Sequence, residues 1–260
     1  MEKRNIFLYE ENKLKEVIEI INKQIKEAEE NFSKQEHTII GFKEGQRGTQ
    51  FIRQGLMSLY ATEVYNLRSV LSNPYFGMFN FENNEEKNEI YLGKKTIMDG
   101  TKVIAHDWRS PICSMYYDYN IGDAEYISNT GEKRKGKIIK KRQIIIKDGV
   151  LKAVDEQDTL SNDSVLLKYL QENSDARLKS IIATIQREQN KIIRSPLRGD
   201  YIIQGTAGSG KTTVALHRIA YLLYNEAKNI SEADFMILGP NKYLLNYISD
   251  LLPALDIKTV

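Results

Sequence analysis

The chain is 260 residues long, 41% hydrophobic and 28% charged, the make-up of a soluble globular protein with material for a buried core. Its 37 Lys and Arg against 35 Asp and Glu leave a net charge of +2, so bulk charge selects neither nucleic acid nor an acidic partner. One cysteine, Cys113, excludes an intrachain disulfide, and no apolar run reaches the ~18 residues that a membrane span needs. The charged start MEKRNIFLYEENKLKE lacks a signal-peptide core, so a cytoplasmic setting is expected, with no membrane partner.

The first stretch is helical. Leu14, Ile18, Ile21, Ile25, Ala28 and Phe32 recur at spacings of 4, 3, 4, 3 and 4, a heptad seam with Lys and Glu between. GFKEGQRG (41–48) breaks the pattern, and Leu56, Tyr60, Val64, Leu67 and Leu71 resume it on a second helix. An antiparallel helical hairpin over 1–73 is predicted; the same periodicity also suits a bundle segment or a dimerising coiled coil.

Pro74 forbids simple continuation of the second helix. From there to Val154 β-branched and aromatic residues alternate with turn signals, at Asp99-Gly100 and Asp148-Gly149 among others. A small antiparallel barrel-like module over 74–154 is predicted. Within it KRKGKIIKKR (133–142) is strongly basic. It suits either phosphate or an acidic protein surface, or simply a solvated hairpin whose lysines discourage edge pairing. Trp108 in DWRSP is expected in the core. His37, His106 and His217 show no metal spacing with Cys113, and no Ser-His-Asp triad can be built from them.

Residues 155–260 read as two lead-in helices, the second running through IQREQNKIIRS, and then β-α-β-α. The strands are placed in GDYIIQG (199–205) and ADFMILGP (233–240), with helices after each, as at the start of a parallel α/β domain. The chain as a whole is thus expected to be a mixed α/β, multi-module protein.

Between the first strand and its helix lies Gly205-Thr206-Ala207-Gly208-Ser209-Gly210-Lys211-Thr212, which satisfies the phosphate-loop (Walker A) pattern. Glycines let the backbone turn its N–H groups inward around an anion, and the next helix adds its positive end. Lys211 can reach the β- and γ-phosphates, and the Thr212 hydroxyl is placed for Mg²⁺. ATP and magnesium are the expected cofactors, with Lys211 and Thr212 in the catalytic roles.

GTAGSGKTTVALHRIAYLL resembles the first motif of the UvrD/Rep-type superfamily-one helicases. The resemblance implies a RecA-like motor domain and an upstream glutamine that reads adenine. Counting back by the family's spacing lands on Gln189, with Gln186 as the alternative. Thr213 stands where that family commonly carries an adenine-stacking arginine. Pro240, Asn241 and Lys242 match a loop that touches single-stranded nucleic acid there, or they form an ordinary strand-to-helix turn.

The order of helical hairpin, NPYFG, DWRSP, YYDYNIG, KRQIIIKDG, IATIQREQN and QGTAGSGKT resembles the bacterial HelD proteins over nearly the whole chain. That resemblance implies an ATPase that binds core RNA polymerase, inserts its hairpin into the secondary channel, and helps release the enzyme from nucleic acid. Two other readings stand beside it: part of a 3′–5′ DNA helicase translocating on single strands, and a non-catalytic binding module. No Walker-B Asp-Glu motif or later arginine motif follows the loop, so the chain is expected to be the N-terminal portion of a longer protein and inactive as an ATPase alone.

Overall fold

The computed structural model describes residues 2–39, 47–83, 86–156 and 185–257. The chain divides into two compact units. The first comprises Met1–Phe81, Lys87–Trp108 and Lys140–Asp158; the second comprises Glu82–Glu86, Arg109–Ile139 and Thr159–Val260. The stretch read from sequence as one module, 74–154, is therefore shared between them.

In the first unit, helix α1 (Glu2–Ile39) and helix α2 (Arg47–Leu71) pack along one another. Arg68 of α2 pairs with Glu29 of α1, while Leu71, one turn on, lies with Ile18 beside Gly149; the two helices run in opposite directions. The buried stripe on α1 is Glu10, Leu14, Val17, Ile21, Ile25 and Ala28. Four of the six predicted seam residues are in it. Ile18 and Phe32 are half-buried instead, and Val17 is 1% exposed. The stripe is broader than a two-helix seam because α1 faces a sheet as well as α2. Ile21, fully buried, alone contributes about 2–3 kcal/mol from its apolar surface.

Seven strands follow: β1 (Gly77–Asn83), β2 (Glu86–Gly93), β3 (Ile97–Asp99), β4 (Lys102–Asp107), β5 (Gly122–Ile127), β6 (Lys133–Lys147) and β7 (Val150–Glu156). Their order is β3-β4-β2-β1-β6-β5, with β7 also on β6. The long strand β6 pairs through its first half with β5, where Gly122 faces Ile138, and through its second half with β7, where Ile144 faces Val154. The predicted Asp148-Gly149 turn joins β6 to β7, with φ of 53° and 73°, the left-handed conformation that such a two-residue turn demands.

The barrel expectation is corrected here. The sheet is open, with β3 and β5 at the ends of the order, and it is mixed: Leu92 of β2 pairs with His106 of β4 in parallel. Barrel closure needs two neighbours for every strand. Instead, in the first unit, the helix pair covers the apolar face. Leu14, Val17, Ile21, Ile25 and Val70 form one core with Tyr75, Met78, Tyr91, Ile144, Ile146 and Leu151. Trp108 is buried, as expected.

The second unit contains a 3₁₀ turn (Pro111–Cys113), helix α3 (Ser114–Asp118), β5, and helices α4 (Arg187–Ile193), α5 (Lys211–Asn225) and α6 (Lys242–Leu251). Leu216 and Ala220 of α5 pack with Ile248 and Leu251 of α6, and with Leu252 and Ile257 after it. The lead-in helices predicted between 157 and 184 lie outside the described residues. The helix read through IQREQNKIIRS begins only at Arg187, because Gln186 is extended (ψ 159°) and caps it. A second correction concerns the parallel sheet. Residues 199–205 and 233–240 form no strand ladder among the described residues, so the RecA-like sheet is not seen. A strand exists only through a hydrogen-bonded neighbour, and these stretches do not pair with each other. Ile202 is 88% and Leu238 87% exposed, whereas Ile237 packs against the core between α5 and α6. Among the described residues, no helix is long and apolar enough to cross a membrane.

Candidate nucleotide site

The loop from Gly205 to Gly210 stands exposed above the start of α5. Ser209 donates its N–H to the Thr206 carbonyl at 3.2 Å, closing a turn. Gly208 (φ 80°) and Gly210 (φ 82°) adopt left-handed conformations, and Gly210 is the N-cap of α5. A side chain at Gly205 would meet the Ser209 hydroxyl at 2.5 Å. The sequence places glycine where the backbone must turn against L-residue preference or approach itself closely.

Lys211 opens α5 and folds back over the loop. Its Nζ donates to the carbonyls of Gly205 at 2.9 Å and Thr206 at 2.8 Å. The first turn of α5 carries no acidic residue. A lysine ammonium and the unopposed positive end of a fifteen-residue helix thus meet at one exposed loop. Ala207 and Thr212 are exposed there, and Thr213 is half-buried. His217, predicted as a packing or surface residue, is buried with Nδ1 2.7 Å from the Thr213 carbonyl. A carbonyl only accepts, so the ring proton sits on Nδ1.

Gln189 reaches the same loop. Its Oε1 accepts the Gln186 N–H at 3.1 Å, and its Nε2 donates to the Ser209 carbonyl at 3.4 Å. Gln186, the alternative, serves as the N-cap of α4. Of the sequence-predicted residues, Gln189 and 205–213 therefore come together. Pro240, Asn241 and Lys242 form the start of α6, where Asn241 Oδ1 accepts the Leu244 N–H at 2.9 Å as N-cap.

Sequence reasoning missed the residues that hold α4 in place. Asn190, with no exposed surface, donates to Asp118 at 2.8 Å and accepts from Arg194 Nε at 3.0 Å. Arg194 Nη1 donates to the carbonyls of Arg109 and Ser110, both at 3.2 Å. Asn225, at the end of α5, donates to the Arg109 carbonyl at 3.2 Å. Arg218 of α5 donates to the Ile192 and Ser195 carbonyls at the C-terminal end of α4. One signal was available: Arg218 lies seven residues after Lys211, two turns along the same helix face.

The family profile described as DNA helicase IV HelD, N-terminal domain, matches residues 7–193. The chain belongs to the HelD family. A second profile, the UvrD/REP helicase N-terminal domain, matches residues 185–238. No curated protein matches the chain. The HelD and UvrD/REP matches overlap on 185–193, which is α4 with its two preceding residues, so Gln189 and Asn190 sit where the two descriptions meet.

Proposed function

We propose that this HelD-family chain holds a magnesium-bound nucleoside triphosphate, ATP, at residues 205–213. The observation that carries this reading is the Lys211 ammonium folded onto the Gly205 and Thr206 carbonyls, at the mouth of a loop with two left-handed glycines. Those residues fit the group. The backbone N–H groups of the loop and Lys211 would hold the phosphates, and the Thr212 hydroxyl would be one magnesium ligand. Gln189 would read the adenine edge, since a carboxamide donates and accepts together. Bound there, the triphosphate supplies a phosphoanhydride whose cleavage releases energy; the chain's own residues bind it, orient it and neutralise its charge.

The second half of the proposal is a partner. The helix pair would enter the secondary channel of core RNA polymerase, and nucleotide use elsewhere in the chain would help remodel or release that enzyme. Family membership supports this, as do exposed large apolar and aromatic side chains on α2, where Phe51 is 78%, Leu59 66% and Tyr65 68% exposed. The test is capture of core RNA polymerase by the chain, compared with a Phe51→Glu/Leu59→Glu variant. Deleting the helix pair would be a poor test, because it strips the cover from the sheet. Capture by the parent chain and its loss in the variant is expected; no capture by the parent chain removes the polymerase reading.

A second reading, translocation on single-stranded DNA in the 3′–5′ sense, is favoured by Tyr243 and Tyr247, 87% and 53% exposed one turn apart on α6. Exposed aromatics are platforms on which bases stack. It predicts that Tyr243→Ala weakens binding to a single-stranded oligonucleotide, and it falls if the parent chain binds none.

A further inference from the structure

We propose that Arg218 is a positioning residue for base selection: it fixes the helix that carries Gln189 relative to the phosphate loop. This rests on the nucleotide reading given above and extends it to a residue that touches neither phosphate nor base. Arg218 sits on α5, two turns after Lys211. Its Nη1 donates to the carbonyls of Ile192 at 3.0 Å and Ser195 at 2.7 Å, and to the Ser195 hydroxyl at 2.5 Å. Its Nη2 donates to the Pro196 carbonyl at 2.7 Å. Ile192 is in the last turn of α4, and Ser195 and Pro196 follow its end, so the guanidinium sits at the C-terminus of the helix, where a cation is favoured.

The same guanidinium lies 4.4 Å from the centre of the Tyr201 ring. The Tyr201 hydroxyl returns to the Pro196 carbonyl at 3.0 Å. One side chain therefore joins three segments: the end of α4, the chain entering the loop, and the helix leaving it. A seven-residue helix is too short to hold its own direction. With its C-terminal end fixed by Arg218, and Asn190 fixed to Asp118, the Gln189 side chain is aimed at Ser209 and Gly210. Loss of the fork would let α4 pivot and carry the carboxamide off the loop. Lys211 and its two carbonyl partners are hydrogen-bonded to one another within the loop, so they would stay where they are.

The prediction is a split between base and phosphate. Isothermal titration of the chain with magnesium-ATP, magnesium-GTP and inorganic tripolyphosphate measures it. The chain should prefer ATP to GTP. Arg218→Lys keeps the charge but not the planar fork. It should cut that preference roughly five- to tenfold, the worth of one well-made hydrogen bond, and leave tripolyphosphate affinity unchanged. In a Gln189→Ala background, Arg218→Lys should cost nothing more. An unchanged ATP preference in Arg218→Lys, or an additional loss in the double variant, overturns the proposal. So does a parallel fall in tripolyphosphate affinity, which would make Arg218 a support of the loop itself. Failure of the underlying reading looks different. A parent chain that binds tripolyphosphate with no base preference removes the role of Gln189, and one that binds none of the three removes the nucleotide site.

Discussion

The Arg142 guanidinium donates to the Glu10 carboxylate at 2.8 Å, joining β6 to α1 across 132 residues of sequence. Glu10 has no exposed side-chain surface and Arg142 has 8%. Arg142 also donates to Glu156 on β7 at 2.6 Å, and the Tyr91 hydroxyl donates to Glu10 at 3.3 Å. The cluster ties the helix pair to the sheet within the first unit. Removing the cation strands a buried carboxylate, which costs about 3–5 kcal/mol. Arg142→Met should therefore lower the denaturation midpoint strongly. Glu10→Gln should cost clearly less, because Arg142 keeps Glu156. Equal losses would mean that the cluster acts by packing and not by charge.

The two carboxylates give opposite slopes with pH. Burial pushes the Glu10 carboxyl above its ordinary range, and the Arg142 and Tyr91 hydrogen bonds only partly offset that. For Glu156 burial acts upward too, but hydrogen bonds from Arg142 and Lys140 outweigh it and hold the carboxyl below its ordinary range. A depressed folded-state pKa contributes stability that is full above the unfolded value and lost as pH falls through the folded one; a raised carboxyl pKa contributes below the unfolded value and is lost as pH rises. Urea midpoints measured from acid to neutral pH should thus show a shallower acid-side loss in Glu156→Gln. In Glu10→Gln, the stability contribution that disappears on going to neutral pH should itself be absent. An acid arm unchanged in Glu156→Gln would refute the assignment.

These particulars mark what could be read from the sequence. Leu14, Ile21, Ile25 and Ala28 were legible because helix periodicity is local, and the Asp148-Gly149 turn was legible because two adjacent residues determine it. The phosphate loop is contiguous, so its pattern was visible directly. Glu10 was not, since a carboxylate in a core makes sense only with Arg142 in view. Arg142 itself lay inside a basic run that reads as a solvated hairpin. Arg218 was hidden for a different reason: its acceptors are main-chain carbonyls, which leave no side-chain signature. The strand assignments at 199–205 and 233–240 failed because periodicity reports an apolar face, not the neighbour that a ladder requires.

Two glycines should respond to alanine in opposite ways. Gly93 ends β2, where an added Cβ would run into the carbonyl oxygen of Pro74. That atom is main chain and cannot rotate aside. Nearby, Phe76 donates its N–H to Leu92 at 2.9 Å and Trp108 donates to Gly93 at 3.0 Å, so the strand end is held from both sides. Gly93→Ala should cost about 1–3 kcal/mol, as overpacking does. Gly55 lies within α2 with nothing within 4 Å of an added Cβ. Gly55→Ala should stabilise by about 0.5–1 kcal/mol through helix propensity. Thermal melts of both variants decide it; a destabilising Gly55→Ala would mean that the outer face of α2 is covered in solution.

Lys211→Met separates the charge at the loop from the loop's conformation. The ammonium donates to both the Gly205 and the Thr206 carbonyls. Those carbonyls are exposed, so water replaces the lysine at little cost, and stability should change by no more than about 0.5 kcal/mol. Phosphate binding depends on the charge differently. A charge-assisted hydrogen bond to an anion is worth about 1.5–3 kcal/mol, so affinity for magnesium-ATP and for tripolyphosphate should fall together, by roughly ten- to a hundredfold. Gly210→Ala should act through the backbone instead. At φ 82° an L-residue is strained, and the N-cap of α5 must shift, so both stability and affinity should fall. Titration and melting of the two variants side by side give the answer. If Lys211→Met kept full affinity for tripolyphosphate, the ammonium would belong to the architecture of the loop, and the anion would have to be held by backbone N–H groups alone.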